Sequence, residues 1–285
     1  MGHTLGVSSL DLRRLRLPAA IGVAALFLLP LLLMLLGSLR EPGLAPSRGV
    51  PLPSFPPALS NYAEVLGATD LGRSAVNSLA VAMVAVPAAL LVASLAGYAI
   101  ARLPGPSAAA LVGVSLVAAL IPPASLIVGR FAIFRMTRLT DTYWPLVVPA
   151  LIGISPVLVL LYAWGYRRVP RELYETSRIE GLTELQTWWR VAVPLVRRLT
   201  VAASLFAFVL VWGDFIGPLI YLSDPSLFTL PLALRSLSGL DVSDQPLFLA
   251  AAVMATVPPL LVAVVAGRLV ARGPERVGVP RSEVG

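Results

Sequence analysis

Six long runs without a charged residue determine what this 285-residue chain can fold into. The runs cover residues 17–39, 74–101, 103–129, 142–166, 199–213 and 246–267. A helix needs about 20 mostly apolar residues to cross the hydrocarbon core of a bilayer. Five runs reach that length, and the run from Leu199 continues as apolar sequence past Asp214 to Leu222. The sequence therefore predicts six spanning helices, approximately at 17–39, 75–100, 107–129, 143–165, 199–222 and 246–267.

The composition places the chain among membrane proteins. Hydrophobic residues make up 57% of it and charged residues 13%, whereas soluble domains carry roughly 25% charged residues. We find no soluble domain and no internal repeat, so residues 1–285 are expected to form one all-α, polytopic membrane domain. The apolar stretch near the N-terminus is longer than the core of a cleaved signal peptide, about 7–15 residues, which predicts a retained first span.

Several residue types that carry chemistry are missing or rare. All 22 basic residues are arginine, so a phosphate-binding G-x-x-x-x-G-K-[ST] loop cannot exist in this chain. There is no cysteine, and the only histidine is His3. Thiol chemistry is therefore excluded, and a histidine base or metal site nearly so. The sequence predicts no metal, no cofactor and no enzymatic activity in this chain.

The distribution of arginine predicts the orientation, because cytoplasmic loops are enriched in basic residues. With both termini in the cytoplasm, fifteen arginines lie inside and seven outside. Three of the outer ones, Arg130, Arg135 and Arg138, fall in one loop, where a short interfacial helix would account for them. In this orientation the longest inner segment is 167–198, and the last outer loop is 223–245.

The inner segment is too polar to span a bilayer, and its pattern predicts two short helices joined by a turn. Pro170 suits a first helical position, and Gly181 suits the left-handed residue that commonly ends a helix. Thr183 and Gln186 have the spacing of a capping box that starts a second helix. Four residues are spaced to share one face of the first helix: Leu173, Thr176, Ser177 and Glu180. These patterns alone leave open a docking element for another protein and an amphipathic loop that binds nothing.

The same segment, YETSRIEGLTELQTWWRVAVPL, resembles the EAA loop of ABC importer permeases. Glu175, Thr176 and Ser177 occupy the E-A-A places, and Glu180 and Gly181 occupy the acidic and glycine places. Two small polar residues replace the two alanines, so close helix packing should survive. Glutamate in place of aspartate keeps the charge but lengthens the side chain.

Further stretches resemble the carbohydrate-importer branch of that family, in particular the partner similar to the maltose permease G subunit. They are LSNYAEVL (59–66), NSLAVAM (77–83), AGYAIARL (96–103), LTDTYWPLVVP (139–149) and WGDFIGPLIYLSDPSLFTLPLAL (212–234). Gly213 stands where the branch usually has asparagine. The resemblance covers most of the chain and implies the type I ABC importer permease fold.

The resemblance also implies a function and a set of partners. Five residues would dock on an ATPase subunit: Glu175, Thr176, Ser177, Glu180 and Gly181. ATP would then be bound by that partner, and no cofactor by this chain. The implied assembly has a second, different permease subunit, two nucleotide-binding ATPase subunits and an extracellular or periplasmic solute-binding protein, surrounded by lipid of the bacterial inner membrane. The implied solute is a sugar or a related compound, and no nucleic acid is involved.

Three residues are candidates for the translocation path or for a contact between subunits. Asp214 is the one acid well inside a predicted span, and such groups usually face the bundle interior or a watery path. It could instead cap a broken helix or pair with a neighbouring subunit. Trp212 could stack on a sugar or mark the membrane boundary. Asn77, at the start of the second span, is the third candidate.

Other classes of function remain as alternatives at this stage. A secondary transporter would need coupling-ion sites and usually repeats near the middle of the membrane, whereas this sequence has one embedded acid and no repeat. A membrane enzyme would need a nucleophile or a base in a constellation, and only scattered serines are present. A non-transporting scaffold subunit would need neither coupling-ion sites nor catalytic residues.

Overall fold

A computed structural model of the chain describes residues 9–44, 49–68, 70–151, 156–237 and 242–271. Throughout these ranges the backbone is helical or irregular and includes no β-strand, which confirms the all-α class. The α-helices are α1 Ser9–Ser38, α2 Ser60–Ala68, α3 Leu71–Arg102, α4 Gly105–Leu120, α5 Ile127–Met136, α6 Trp144–Leu151, α7 Pro156–Arg167, α8 Arg171–Ile179, α9 Glu184–Thr187, α10 Val193–Leu195, α11 Arg197–Trp212, α12 Ile216–Tyr221, α13 Leu230–Leu237 and α14 Gln245–Ala271.

Five ranges of the described chain are long and apolar enough to cross a membrane, and a bent pair of helices provides a sixth candidate. The five are Pro18–Ser38, Leu71–Arg102, Trp144–Arg167, Arg197–Tyr221 and Gln245–Ala271. The third of them includes residues 152–155, which lie outside the described ranges. The bent pair is Gly105–Leu120 with Pro123–Met136, whose axes differ by 85°.

The bend interrupts the span predicted at 107–129. Helix α4 ends at Leu120, and Ile121 has an extended backbone with ψ 117°. Pro122 and Pro123 follow directly. Proline disfavours a helical conformation in the residue before it and lacks the N–H that would continue the helix. The two adjacent prolines therefore end the straight helix.

The segment with the outer arginines forms a helix, as the sequence predicted. Arg130 and Arg135 lie on α5, and Arg138 follows in a turn with φ 57°. The axes of α4 and α5 differ by 85°, so the two helices cannot both run along the membrane normal. Its placement at the membrane interface stays a prediction.

The chain divides into two compact units, Met1–Gly72 with Leu234–Thr256, and Arg73–Ala233 with Val257–Gly285. In the first unit, the Asn61 side chain is fully buried, and its amide donates to the carbonyl oxygens of Ser38 at 2.8 Å and Arg40 at 2.7 Å. The last carbonyls of a helix have no partner within it. The stretch LSNYAEVL therefore holds the end of α1.

In the second unit, α3 and α7 approach closely at Gly97. A β-carbon at this position would lie 2.6 Å from Cβ of Tyr162 and 2.7 Å from the backbone nitrogen of Ala163. Small residues allow membrane helices this kind of approach. Gly97 lies near the end of α3 and Tyr162 near the end of α7. The ends of these two helices are thus held side by side, where the inner segment 167–198 joins them.

Candidate functional site

Helix α8 begins and ends as its sequence requires. Glu172 lies in its first turn, where a negative charge is favoured by the helix dipole. At the other end, Gly181 has φ +76°, and the Leu182 N–H donates to the Ser177 carbonyl at 3.0 Å. Glycine adopts this left-handed conformation without the steric cost of a β-carbon. The predicted glycine end of the helix is confirmed.

Helix α9 starts with the predicted capping box. The Thr183 hydroxyl accepts from the Gln186 N–H at 3.3 Å, and the Gln186 side-chain oxygen accepts from the Thr183 N–H at 2.9 Å. Both groups therefore satisfy backbone donors that a helix start leaves without partners. The chain continues through a π-helical turn, Trp188–Ala192, into α10 and then α11.

Helix α8 has an exposed face and a buried face, and the predicted docking residues divide between them. Glu175, Thr176, Glu180 and Gly181 are exposed. Ser177, however, is only 3% exposed, and its hydroxyl donates to the Leu173 carbonyl at 2.7 Å. Ser177 therefore does not share the exposed face of the other four residues, and its docking role stays a prediction. Its small side chain lies against the rest of this chain.

The buried face belongs to a cluster of polar and aromatic side chains that connects the inner segment to α3 and α7. We call it the inner cluster. Its members are Ser94, Tyr98 and Arg102 of α3, Tyr166 of α7, Tyr174 and Arg178 of α8, Glu184 of α9, and Trp188.

Glu184 is held by donors from two other helices of the inner cluster. Its Oε2 accepts from the Tyr98 hydroxyl at 2.9 Å, and its Oε1 accepts from Nη2 of Arg178 at 2.9 Å. Nη2 of Arg102 lies 3.6 Å from the same Oε1. One carboxylate therefore joins the end of the spanning helix α3 to both short helices of the inner segment.

The rest of the cluster packs behind this carboxylate. The Ser94 hydroxyl forms a 2.6 Å hydrogen bond with the Tyr166 hydroxyl and accepts from Nε1 of Trp188 at 3.1 Å. The Tyr174 hydroxyl donates to the Tyr166 carbonyl at 3.2 Å. Buried polar groups need such partners, and the four hydroxyls and the indole N–H of this cluster have them, whereas Nε of Arg102 is buried without one. These bonds fix the inner segment to α3 and α7. Movement of the inner segment should therefore move the inner ends of α3 and α7.

These contacts determine which side chains of the inner cluster carry a charge. The hydrogen bond from Arg178 lowers the pKa of Glu184 most, and the Tyr98 hydroxyl and Arg102 lower it further against the opposing effect of burial. Glu184 is therefore ionised at neutral pH. Burial raises the pKa of Tyr174 to about 12, so its ring stays neutral. The Arg102 guanidinium lies 4.4 Å from the centre of that ring, within the range of a cation–π contact.

The cluster contains residues to which the sequence analysis gave no function. Tyr98 and Arg102 were noted within AGYAIARL only as a resemblance, although their spacing of four places both on one helix face. Glu184 carries no sequence signal, because its partners lie 6, 82 and 86 residues away.

Outside the inner cluster, Ile179 was also given no function by the sequence analysis. It is 87% exposed and contributes an apolar side chain to the exposed face of α8.

A second site lies at the break between α11 and α12. Gly213 ends α11, and Oδ1 of Asp214 accepts from the Gly217 N–H at 3.1 Å, which holds the start of α12. Asp214 also lines a cavity of about 400 Å³ together with Ser78 and Thr229. The Thr229 hydroxyl is buried and has no partner within the described chain. The remaining lining is apolar.

The side chains of Asn77 and Trp212 both contact other residues of this chain. The Asn77 amide donates to the carbonyls of Ser226 at 2.9 Å and Phe228 at 3.0 Å. Trp212 is 6% exposed, and its ring stacks on Phe208 with 5.4 Å between centres. In this conformation the Asn77 amide nitrogen and one face of the Trp212 ring contact other parts of this chain, and their role in the solute path stays a prediction. Over the described ranges, no group of three His, Cys, Asp or Glu side chains could hold a metal ion.

Known proteins resemble the chain over most of its length. A family model described as binding-protein-dependent transport system inner membrane component matches residues 74–275. SmoH of Agrobacterium fabrum, a sulfoquinovosyl glycerol transport system permease protein, is 30% identical over 75% of this chain and 76% of its own length. SugB of Mycobacterium tuberculosis, a trehalose transport system permease protein, is 26% identical over 75% of this chain and 78% of its own length. MelC of Bacillus subtilis, a melibiose/raffinose/stachyose import permease protein, is 26% identical over 87% of this chain and 89% of its own length.

A solved structure shows the same fold. In the crystal structure of a bacterial ABC transporter involved in the import of the acidic polysaccharide alginate, one chain matches with a TM-score of 0.73 and 18% identity. The match covers 93% of this chain and 99% of that chain, and it confirms the predicted permease fold. Because the family model also spans well over half of the sequence, this chain belongs to the binding-protein-dependent transport system inner membrane components and is a multi-pass permease subunit of an ABC importer, not itself an enzyme.

Proposed function

We propose that this chain forms half of the translocation path of an ATP-driven carbohydrate importer and docks on an ATPase subunit through α8. The relatives named above for transport of sulfoquinovosyl glycerol, trehalose and melibiose/raffinose/stachyose support a carbohydrate as the solute. The observation that carries the docking role is a short helix with one exposed face, whose other face is fixed to spanning helices. The arginine distribution supports cytoplasmic placement of α8 and of both termini.

The docking surface in this proposal is the exposed face of α8 and its glycine end. It comprises Glu175, Thr176, Ile179, Glu180 and Gly181. An exposed apolar side chain among polar ones is suited to an interface with another protein, since apolar anchors at the centre of an interface carry much of the binding energy. Ser177 supports this surface from behind, where its small size lets α8 pack closely on its own chain.

The inner cluster in this proposal carries the movement of the docked helix to the membrane. ATP binding closes two ATPase subunits, and each subunit moves the helix bound in it. Glu184 and Tyr98 then pass that displacement to α3, while Tyr174 passes it to α7 through the Tyr166 carbonyl. The complete assembly contains a second permease subunit, two ATPase subunits that bind the ATP, and an external solute-binding protein.

The cavity beside Asp214 is the proposed contribution of this chain to the solute path. Its volume of about 400 Å³ falls within the roughly 300–1,000 Å³ of typical ligand pockets. Ser78 already accepts a hydrogen bond from the Leu230 N–H at 2.8 Å. The Thr229 hydroxyl, which has no partner among the described residues, is the group we assign to a solute hydroxyl.

Replacing Gly181 tests the docking role. A β-carbon there would meet no atom within 4 Å, so a substitution acts through the backbone alone. Gly181→Val should cost roughly 1–3 kcal/mol in the left-handed conformation and distort the end of α8. We expect the variant complex to hydrolyse ATP with little solute uptake, measured as ATP-dependent uptake into proteoliposomes.

Gly181→Asn is the matched control, because asparagine tolerates positive φ better than valine. It should retain most of the uptake. Equal uptake by the valine variant and the wild type would contradict the docking role. Uptake driven by an ion gradient without ATP would instead indicate a secondary transporter.

Removing the charge of Glu184 tests the transmission step. Glu184→Gln weakens the bonds from Arg178 and Arg102, and Tyr98→Phe removes only the hydroxyl donor while keeping the ring. Since the carboxylate is exposed to solvent, each change should lower the solute carried per ATP by about two- to fivefold, the range of an exposed charge contact. The ratio of solute uptake to ATP hydrolysis measures the solute carried per ATP.

Glu64→Gln provides the control for Glu184→Gln, because Glu64 is an exposed acid on α2, outside the inner segment. Its ratio of uptake to hydrolysis should match the wild type. If Glu184→Gln and Tyr98→Phe also left the ratio unchanged, the inner cluster would not transmit the movement.

Two variants of Asp214 separate its structural role from a role of its charge. Asp214→Asn keeps an oxygen that can accept from the Gly217 N–H, whereas Asp214→Ala removes it at a cost of about 1 kcal/mol. We expect the asparagine variant to assemble and transport normally and the alanine variant to lose thermal stability. An asparagine variant that assembled without transporting would show that the solute path needs the carboxylate.

A further inference from the structure

A cavity of about 990 Å³ opens where the inner ends of α3, α4 and α7 meet α8. The proposed function assigns no ligand to it, although Glu175 of the docking surface and part of the inner cluster also line it. Its charged lining consists of four arginines and one glutamate: Arg102, Arg167, Arg171, Arg178 and Glu175. Such an excess of guanidinium groups favours an anion, and arginine binds phosphate well because its planar group offers several donors.

Two of these arginines are available to a ligand. Arg102 and Arg178 share the Glu184 carboxylate. Arg167 and Arg171 are exposed, and neither forms an ion pair with another described residue. In addition, Nε of Arg102 is buried and has no hydrogen-bond partner in the described chain. The polar end of the cavity therefore has more donors than this chain satisfies.

The opposite wall of the cavity is apolar. It is formed by α4, on which Ala109, Val112 and Leu116 line the cavity at helical spacing. From the first to the last of these residues the helix rises about 10 Å. Leu116 is 52% exposed. A small hydrophilic anion would leave this wall without a partner, whereas a molecule with an anionic head and an alkyl chain would cover both parts.

The position of the cavity along the helices fits lipid headgroups. Arg102 ends α3 and Arg167 ends α7, so the arginines stand where the apolar spans stop. Beside them, the half-exposed Trp164 ring lies 3.6 Å from the Arg168 guanidinium carbon, and tryptophan favours the membrane–water boundary. Basic pockets between spanning helices on the cytoplasmic side bind anionic lipid headgroups.

We propose that this cavity binds an anionic phospholipid of the inner leaflet. Its phosphate lies between the exposed Arg167 and Arg171, beside Arg102, and one acyl chain lies along α4. Because Tyr174 and Arg178 of α8 also line the cavity, the bound lipid contacts the helix that docks on the ATPase subunit. The lipid thus helps to hold α8 at the membrane surface.

The test uses the whole importer complex in nanodiscs that contain a phosphatidylglycerol with a photoreactive acyl chain. Mass spectrometry locates the labelled residues. We expect labelling of the α4 segment 105–116, and much weaker labelling by the same probe with a phosphatidylcholine head. Arg167→Gln with Arg171→Gln should lower the labelling by at least about tenfold, given the contribution of each arginine to anionic lipid binding.

Matched controls exclude a general charge effect and a loss of folding. Arg190→Gln with Arg197→Gln removes the same charge from exposed sites outside the cavity and should leave the labelling unchanged. Arg167→Lys with Arg171→Lys keeps the charge and should restore most of it. Labelling is measured without ATP or solute, so its result is independent of whether the complex transports a carbohydrate.

Three results would overturn the proposal. One is equal labelling by the phosphatidylglycerol and phosphatidylcholine probes. Another is labelling that Arg167→Gln with Arg171→Gln leaves unchanged. The third is complete loss of labelling with millimolar glycerol 3-phosphate, which would assign the site to a soluble phosphate.

Discussion

The hydrogen-bonded link between the inner segment and the spans is the contact on which the rest of this account depends. Helix α8 has only nine residues, and helices that short are marginal in water without tertiary packing. Tyr174 and Ser177 provide that packing on one face, and Glu184 joins α8 and α9 to α3. Because the buried face is fixed, the exposed face is presented in a defined direction.

Two helix breaks, one after α4 and one after α11, shape this membrane domain. Adjacent prolines end α4 and turn the following helix by 85°. At the break after α11, Asp214 satisfies a backbone N–H and also borders the cavity assigned to the solute. Backbone groups freed by such a break need a partner at membrane depth. The Asp214 carboxylate therefore has a structural role at the break that does not depend on contact with the solute.

Much of the fold could be predicted from the sequence because it depends on local signals. Uncharged runs identify the spans, and the positive φ of Gly181 and the capping box at Thr183 follow from a few neighbouring residues. The inner cluster could not be predicted, because Glu184 and Tyr98 are 86 residues apart. The burial of Ser177 was missed for a related reason, since spacing defines a helix face but not the neighbour that it meets.

The most direct test of the central claim is the accessibility of α8 in the assembled importer. The chain has no cysteine, so Ile179→Cys provides a single thiol at an 87% exposed position. A membrane-impermeant thiol reagent should label it only from the cytoplasmic side, and only when the ATPase subunit has been removed. A cross-linker at this thiol should capture that subunit. Labelling from outside the cell, or a thiol shielded by lipid and never cross-linked to the ATPase, would contradict the account.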